Sequence, residues 1–308
     1  MHEIEGVWAT ILLDVADDGQ VDADFIDRQI SILAEAGVDG IYSNGTASEF
    51  HCQTDAQFEL ISHRTAICAR AAGLRFQIGA SHPLPQASLE RVRFAASYRP
   101  QAIQVILPDW TAIDTATAIR FLQGCAEVSE GVPLVLYNPP HAKTVLSPAQ
   151  LEYVTAAVPA VVGVKCGGGD GTWYQEMASV LERLSVFIPG HRYASGVIAG
   201  AHGSYSNMTC LNPFAAVQWA RQVERDPDAA VALEQRIAAF MNEAIAPIIS
   251  AGFPGFACDK AMAAAGGWAR SSPRLLWPYT SVSDGLVAGI VSAVERHIPE
   301  FSRKGRSL

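Results

Sequence analysis

The sequence is poor in charged residues and has no strongly basic segment. Charged residues make up 17% of the 308 residues, the formal net charge is -9 at pH 7 and the pI is ≈ 5.3. A phosphate backbone is bound by a positive field, so we expect no nucleic acid partner. Runs long enough to span a bilayer are missing, and the N-terminal segment lacks the pattern of a secretory signal. We therefore expect no membrane partner and a cytoplasmic location.

Closely spaced cysteine pairs are also missing. The 6 cysteines are scattered, with no CxxC pair, so neither a zinc site nor a disulfide framework is predicted. Cys166 stands next to Lys165, but a buried cysteine without a partner base is usually a small apolar filler. We expect free thiols and assign no catalytic role to Cys166.

Apolar residues, by contrast, are abundant, at 49% of the chain, which is enough for one large core. Short apolar, β-branched runs alternate with longer segments in which apolar residues recur three and four apart, as in βα units. Eight such runs begin at Val7, Gly40, Arg75, Ala102, Pro133, Val161, Ser185 and Gly203. An open doubly wound sheet is the alternative, but no GxGxxG follows the first run. The pattern therefore predicts an α/β fold, a (β/α)8 TIM barrel.

The chain after the eighth run has only helical patterns. They cover residues 213–223, 229–250, 258–265 and 283–296. Charge and proline interrupt these patterns at residues 224–227, which we take as a boundary. We predict a barrel with the active site over residues 1–225 and a C-terminal helical appendage over residues 226–308.

One strand end carries a lysine where barrels of this type place their active sites. The sixth run ends in Lys165, and the alternation of a strand puts this side chain on the same side as Val161 and Gly163. We expect Val162 and Val164 to pack against helices and Lys165 to point into the barrel mouth. Apolar neighbours lower the pKa of an amine from about 10.4 and expose the neutral form that attacks a carbonyl. The alternative is a lysine that reaches solvent or pairs with a carboxylate.

Two further strand ends suit the same cavity. Tyr137 ends the fifth run and can face inward beside Lys165, although a buried tyrosine is often only a core aromatic with a bonded hydroxyl. The second run ends in a turn of small residues, 43–49, whose amides and hydroxyls suit an anionic oxygen such as a carboxylate. We therefore expect the lysine and the phenol to face one cavity.

Three motifs at these strand ends occur together in a fixed order. They are GTASE at residues 45–49, YNPP at residues 137–140 and GVK at residues 163–165. They resemble the GTTGE loop, the YNxP motif and the glycine-hydrophobic-lysine strand of the N-acetylneuraminate lyase and dihydrodipicolinate synthase superfamily of class I aldolases. Further matches are residues 17–22, Gly190, residues 201–213 and Lys260. The resemblance spans nearly the whole chain, and the ordered set is specific although each motif alone is weak.

The resemblance implies that Lys165 forms a Schiff base, that Tyr137 shuttles protons, and that Thr46 with the adjoining amides binds a carboxylate. The implied enzyme is a lyase, an aldolase or a dehydratase, that acts on a small-molecule 2-oxo acid such as pyruvate and needs no metal or organic cofactor. A homo-oligomer, commonly a tetramer, is implied as well. Further candidates for substrate contacts are Gly45, Ala47, Gly190, His191, Arg192 and Ser206.

The chain departs from dihydrodipicolinate synthases at several positions. Ala47 replaces the second threonine of the loop, and Ala142 followed by Lys143 stands where those enzymes carry an arginine for a second carboxylate. Trp110 stands at their relay tyrosine, and an indole cannot relay a proton as a phenol does. These departures disfavour that enzyme.

A different departure concerns the strand-seven loop. Neuraminate lyases place acidic residues there to hold sugar hydroxyls, whereas this chain has His191 and Arg192. The guanidinium of Arg192 suits a carboxylate, so we hypothesise an acidic distal group on the substrate. The alternatives are an ion pair at a helix terminus for Arg192 and a structural role for His191.

Other functions stay open at this point. One is a non-catalytic barrel that binds a 2-oxo acid, with turnover lost through Ala47 and Trp110, and another is a dihydrodipicolinate synthase proper. A phosphate-binding barrel isomerase would place a phosphate at the glycine-rich segment 167–171, which is more often a plain turn. The substrate, the direction of the reaction and the choice between cleavage and dehydration are undetermined by the residues.

Overall fold

A closed barrel forms the centre of the protein. A computed structural model describes residues 4–302, and in that range eight parallel strands close in chain order. The strands are β1 (Gly6–Thr10), β2 (Gly40–Ser43), β3 (Phe76–Gly79), β4 (Ala102–Ile106), β5 (Leu134–Asn138), β6 (Val161–Cys166), β7 (Ser185–Pro189) and β8 (Gly203–Tyr205). Each apolar run of the sequence contributes one strand, which confirms the predicted (β/α)8 barrel.

Helices surround the barrel and continue beyond it. Those between strands are α1 (Ala23–Ala36), α2 (Asp55–Ala71), α3 (Pro85–Ala96), α4 (Thr115–Val128), α5 (Pro148–Ala156), α6 (Gly171–Glu176), α7 (Ala178–Arg183) and α8 (Tyr193–Ile198). After β8 come α9 (Met208–Leu211), α10 (Pro213–Arg225), α11 (Pro227–Phe240), a π-helical turn (Met241–Ile245), α12 (Ala246–Ser250), α13 (Gly255–Gly266) and α14 (Asp284–His297). Short 3-10 turns occupy Thr46–Ser48, Gly190–Arg192 and Pro299–Phe301. The helical C-terminal part is confirmed, and no helix within residues 4–302 is long and apolar enough to cross a membrane.

The predicted boundary falls at a helix junction. α10 ends at Arg225, and the Asp226 side chain caps α11 by accepting a hydrogen bond from the Ala229 amide. The division into a barrel over 1–225 and an appendage over 226–308 stays a prediction, and residues 1–3 and 303–308 of those ranges lie outside the described residues.

The barrel interior is filled by aromatic side chains. Trp8, Tyr42, Phe187 and Tyr205 are buried in one cluster, separate from the larger core between strands and helices. The ring of Tyr205 lies 4.8 Å from Tyr42 and 4.7 Å from Phe187, and its hydroxyl donates to Gln77 Oε1 at 2.5 Å. These rings close the inside of the barrel below the C-terminal ends of the strands, so the open space lies at the mouth.

β6 carries a bulge that changes the expected alternation. Leu134 of β5 pairs with Val161, but the next residue of β5 pairs with Gly163, so Val162 is an extra residue in the ladder. Val161 and Val164 belong to the outer core, whereas Val162 packs against the aromatic cluster inside the barrel. The prediction that Val161 faces the barrel interior and Val162 the helices was therefore wrong. The extra residue at the bulge reverses the inward and outward alternation for the part of β6 that precedes Gly163. Gly163 and Lys165 lie beyond the bulge and keep a common side.

A buried ion pair joins the loop after β2 to the C-terminal helices. Lys260 Nζ lies 3.0 Å from Glu49 Oε1, and both side chains are almost completely buried. The second carboxylate oxygen of Glu49 accepts a hydrogen bond from the Leu276 amide at 2.6 Å, and Lys260 also donates to the Arg274 carbonyl. Since every polar atom of the pair's head groups is engaged by the other or by backbone, the pair fixes α13 against the barrel mouth.

Removal of one partner tests this anchor. Lys260→Met leaves the buried carboxylate of Glu49 without its cation, so we expect the free energy of unfolding to fall by about 3–5 kcal/mol. Urea denaturation followed by circular dichroism measures the loss. Glu130→Gln is the control, because it breaks only an exposed pair with Arg99 and should cost less than about 1 kcal/mol. Equal losses in the two variants would contradict an anchoring role.

Candidate active site

Lys165 lies half-buried at the inner end of a cavity, surrounded by aromatic rings. It leaves the C-terminal end of β6 and pairs in register with Tyr137 of β5. Its Nζ lies 4.0 Å from the ring centroid of Tyr137 and 5.1 Å from those of Tyr42 and Tyr205. Burial lowers the pKa of the Lys165 amine to about 8, although the carboxyl of Asp259 acts in the opposite direction. An amine with this pKa is partly neutral at physiological pH and can act as a nucleophile.

The phenol of Tyr137 is the second group in this cavity. Burial raises its pKa to about 12, and the nearby Thr46 hydroxyl partly opposes that rise. No hydrogen bond of ordinary geometry within residues 4–302 engages Thr46 Oγ1, which is buried. Tyr137 therefore stays protonated near neutral pH and is suited to donate a proton. The Thr46 hydroxyl lies close enough to act on this phenol.

The loop after β2 places its residues in two layers. Thr46 and Ala47 line the cavity, while Ser48 turns away and donates to the Ile11 carbonyl at 2.5 Å. Gly45 lies behind the wall, where a Cβ would come within 2.7 Å of the Tyr42 ring. The absence of a side chain at Gly45 therefore leaves room for the Tyr42 ring.

The remaining sequence candidates lie in the loops after β7 and β8. His191, Arg192 and Ser206 line the cavity, but Gly190 packs against Ser206, whose Oγ would lie 2.2 Å from an added Cβ. The His191 amide donates to Asn207 Oδ1 at 3.0 Å, and burial lowers the pKa of the imidazole, which is therefore neutral at pH 7. Arg192 is exposed at the rim and forms no ion pair with a residue in the described range.

The cavity is large and one of its walls is apolar. Its volume is about 1010 Å³, well beyond what pyruvate alone would fill. The C-terminal helices supply the apolar wall, with side chains from Met241, Ile245, Ile249, Phe256 and Met262. The first two belong to the π-helical turn, which precedes a proline at position 247 that cannot donate to an i−4 carbonyl. The apolar wall therefore depends on helices that follow the eighth strand.

Asp259 of α13 lines the same cavity and was missed by the sequence reasoning. Burial raises its pKa to about 7, and the amine of Lys165 is the opposing influence. Its sequence signal was weak but present, since it is the one acid within the apolar pattern of α13 and directly precedes Lys260. Tyr42 and Tyr205 were missed as well, although each ends or nearly ends a strand and the alternation allowed an inward side chain. Cys166 is buried with its pKa raised to about 12, so its thiol is not ionised.

Comparison with known proteins places this site in a family. A family model described as the dihydrodipicolinate synthetase family matches residues 3–293 of the chain. The matched range contains the barrel strands and all of the candidate site residues. The chain belongs to the dihydrodipicolinate synthetase family. Membership confirms the predicted class of enzyme, a Schiff-base-forming lyase for pyruvate-type 2-oxo acids.

Relatives within the dihydrodipicolinate synthetase family carry different names. The 4-hydroxy-tetrahydrodipicolinate synthase of Bdellovibrio bacteriovorus is 27% identical over 230 residues, which are 72% of this chain and 76% of the relative. The N-acetylneuraminate lyase of Salmonella typhimurium is 23% identical over 252 residues, 81% of this chain and 83% of the relative. The relatives thus confirm the family and leave the substrate of this member open.

Solved structures from the family share the fold. YagE, an E. coli prophage protein of the dihydrodipicolinic acid synthase family in complex with pyruvate, superimposes with a TM-score of 0.84 at 18% identity, over 96% of this chain and 98% of that one. The sialic acid aldolase of Ruminococcus gnavus gives a TM-score of 0.82 at 17% identity, over 96% and 99%. At such identities the likeness establishes the barrel architecture alone.

The lowered pKa of Lys165 predicts how adduct formation depends on pH. Only the neutral amine attacks a ketone, so the initial rate of adduct formation with pyruvate should rise with pH and level off above about 8. Timed borohydride quenching followed by intact-protein mass spectrometry measures this rate. Free Nα-acetyl-lysine under the same conditions is the control and should keep gaining reactivity up to about pH 10. A protein curve that follows the control would contradict the lowered pKa.

Proposed function

We propose that this protein is a Schiff-base lyase in which Lys165 attacks the ketone of a 2-oxo acid. The observation that carries the proposal is the amine of Lys165, with a pKa lowered to about 8, held over the Tyr137 ring at 4.0 Å and open to a large cavity. Attack gives a carbinolamine, water leaves, and the protonated imine becomes an electron sink for breaking a nearby bond.

The neighbouring residues have roles that follow from their positions. Tyr137, whose phenol keeps its proton near neutral pH, moves protons during formation and hydrolysis of the imine. The hydroxyl of Thr46, which lines the cavity, and the adjoining backbone amides hold the carboxylate of the substrate. The alanine at position 47 removes one further hydroxyl from this site but keeps the amide.

Two rival functions find less support. A phosphate at the glycine-rich loop would compete with the carboxylate of Asp170, which already accepts a hydrogen bond from the Trp173 amide at the start of α6. A dihydrodipicolinate synthase proper would need a second carboxylate site, but Lys143 directs its amine to the Trp110 carbonyl at 2.6 Å. The glycine-rich loop is therefore a poor phosphate site, and Lys143 is a poor partner for a second carboxylate.

The proposal extends to assembly and compartment. Trp277 is 87% exposed, and a large apolar side chain at such a position supports burial between subunits of a homotetramer. All of the cysteines carry free thiols, which agrees with a reducing compartment such as the cytoplasm.

Chemical trapping tests the nucleophile directly. Borohydride reduction in the presence of pyruvate should fix one pyruvate on Lys165, and Lys165→Met should remove the adduct. Lys143 also lines the cavity, but its amine donates to the Trp110 carbonyl, whereas the amine of Lys165 lies 4.0 Å from the Tyr137 ring centroid. Peptide mapping locates the modification. An adduct on a different lysine, or none at all, would defeat the proposal. An adduct without turnover of any 2-oxo acid would favour a binding protein.

A second variant tests the acidic distal group on the substrate. Arg192 lies exposed at the rim of the cavity and can meet such a group, so Arg192→Met should raise KM roughly tenfold or more for a dicarboxylic 2-oxo acid and much less for pyruvate. Steady-state kinetics with both compounds measure the difference. Arg93→Met, an exposed arginine on α3, should change neither value. Equal effects on both compounds would remove the hypothesis.

A further inference from the structure

One carboxyl group in the active-site cavity has no assigned partner. Asp259 lies in the middle of the face that α13 turns to the cavity, between Phe256 and Met262 at i−3 and i+3. The next residue, Lys260, points to Glu49 in the loop after β2. Since neighbouring helical residues differ by about 100° in direction, anchoring Lys260 fixes Asp259 toward the mouth.

Other aspartates near helix ends have clear structural partners. Asp114, Asp170 and Asp226 each accept hydrogen bonds from backbone amides as helix caps. Asp259 stands inside a helix instead, and no hydrogen bond or ion pair links its side chain to another residue in the range 4–302. An acid placed among apolar side chains without a partner lowers stability. Such a position is explained when the acid meets a ligand.

The charged and titratable groups that act on Asp259 come from several elements. Lys165 of β6 is the cation among them, and the phenols of Tyr42 and Tyr137 face the carboxyl from β2 and β5. The thiols of Cys210 in α9 and Cys258 in α13 complete the surroundings. Burial raises the pKa of Asp259 to about 7 in spite of the cation, so the carboxyl can gain and lose a proton near neutral pH.

The direction of the bound substrate follows from the walls around Lys165. The rings of Tyr42 and Tyr205 close the cavity below the amine, and the loop with Thr46 offers the place for the carboxylate. A substrate joined to Nζ through its second carbon must therefore extend its remaining carbons outward. α13, with Asp259, lines the cavity on that path.

We propose that Asp259 is the acid–base group for the hydroxyl on the fourth carbon of a bound 4-hydroxy-2-oxo acid. This inference rests on the proposed Schiff base at Lys165. The carboxylate takes the hydroxyl proton, the bond between carbons 3 and 4 breaks, and its electron pair neutralises the iminium to an enamine. An aldehyde leaves, and protonation of carbon 3 followed by hydrolysis releases pyruvate. In the reverse direction Asp259 returns the proton to the new hydroxyl.

Two reactions distinguish the role of Asp259 in bond cleavage from the role of Lys165 in imine formation. Exchange of the methyl protons of pyruvate in deuterium oxide reports imine and enamine formation alone, and needs no hydroxyl on carbon 4. Release of pyruvate from 4-hydroxy-2-oxopentanoate, or from 4-hydroxy-2-oxo-4-phenylbutanoate in view of the apolar wall, requires the bond cleavage as well. Nuclear magnetic resonance follows the first reaction, and a coupled lactate dehydrogenase assay follows the second.

Asp259→Asn should keep the exchange and the borohydride adduct but lower kcat for cleavage by roughly 10²–10⁴-fold, the usual contribution of a general base. Because the base must be ionised, wild-type kcat should rise as pH passes about 7, and this rise should be missing in Asp259→Asn. Asp259→Glu should restore part of the cleavage. Asp284→Asn, on the exposed first turn of α14, is the control and should match the wild type.

The contrary outcomes are distinct. Normal cleavage by Asp259→Asn, or an equal loss of exchange and cleavage, would overturn the inference, as would a wild type that exchanges pyruvate but cleaves neither 4-hydroxy acid. A wild type with neither adduct nor exchange would overturn the proposed function instead.

Discussion

The buried pair between Glu49 and Lys260 is the contact on which the site depends. It joins residues 211 positions apart and is almost fully removed from water, so the loop after β2 and helix α13 are held in one arrangement. That loop carries the residues proposed to bind the carboxylate, and α13 carries Asp259 and part of the apolar wall. One ion pair therefore connects two walls of the cavity, the loop after β2 and helix α13. Two adjacent residues of α13 have different environments: Lys260 holds the helix through its ion pair with Glu49, and Asp259 lines the cavity.

Enclosure of charged groups gives the cavity its chemical character. Burial moves the pKa of the Lys165 amine down to about 8 and that of the Asp259 carboxyl up to about 7, so a base and an acid that normally titrate far apart both titrate near neutral pH. Burial raises the pKa of the Tyr137 phenol to about 12, so this group keeps its proton near neutral pH and can donate it. Burial is the largest cause of each shift, and three aromatic rings are part of the surroundings of the amine.

The family supplies the barrel and the class of chemistry, and loops and C-terminal helices form the walls of the mouth. Proteins with this fold act on unlike substrates because the loops and the C-terminal helices, rather than the strands, meet the variable part of the substrate. In this chain a π-helical turn brings Met241 and Ile245 to the cavity, and the exposed Arg192 lies at its rim. The mouth of this chain combines an apolar wall, the carboxyl of Asp259 inside a helix and the guanidinium of Arg192 at the rim.

The sequence by itself determined the eight strands, the C-terminal helices, and the positions of Lys165 and Tyr137, because these follow from local periodicity and from residues next to one another in the chain. It did not determine the bulge at Val162, because the register of a strand depends on the neighbouring strand. Nor did it show that Gly45 and Gly190 pack behind the residues that line the cavity. Asp259 was the largest omission. Only the tertiary structure decided its place, because a contact across 211 residues turns α13 toward the mouth, and no local pattern encodes such a contact.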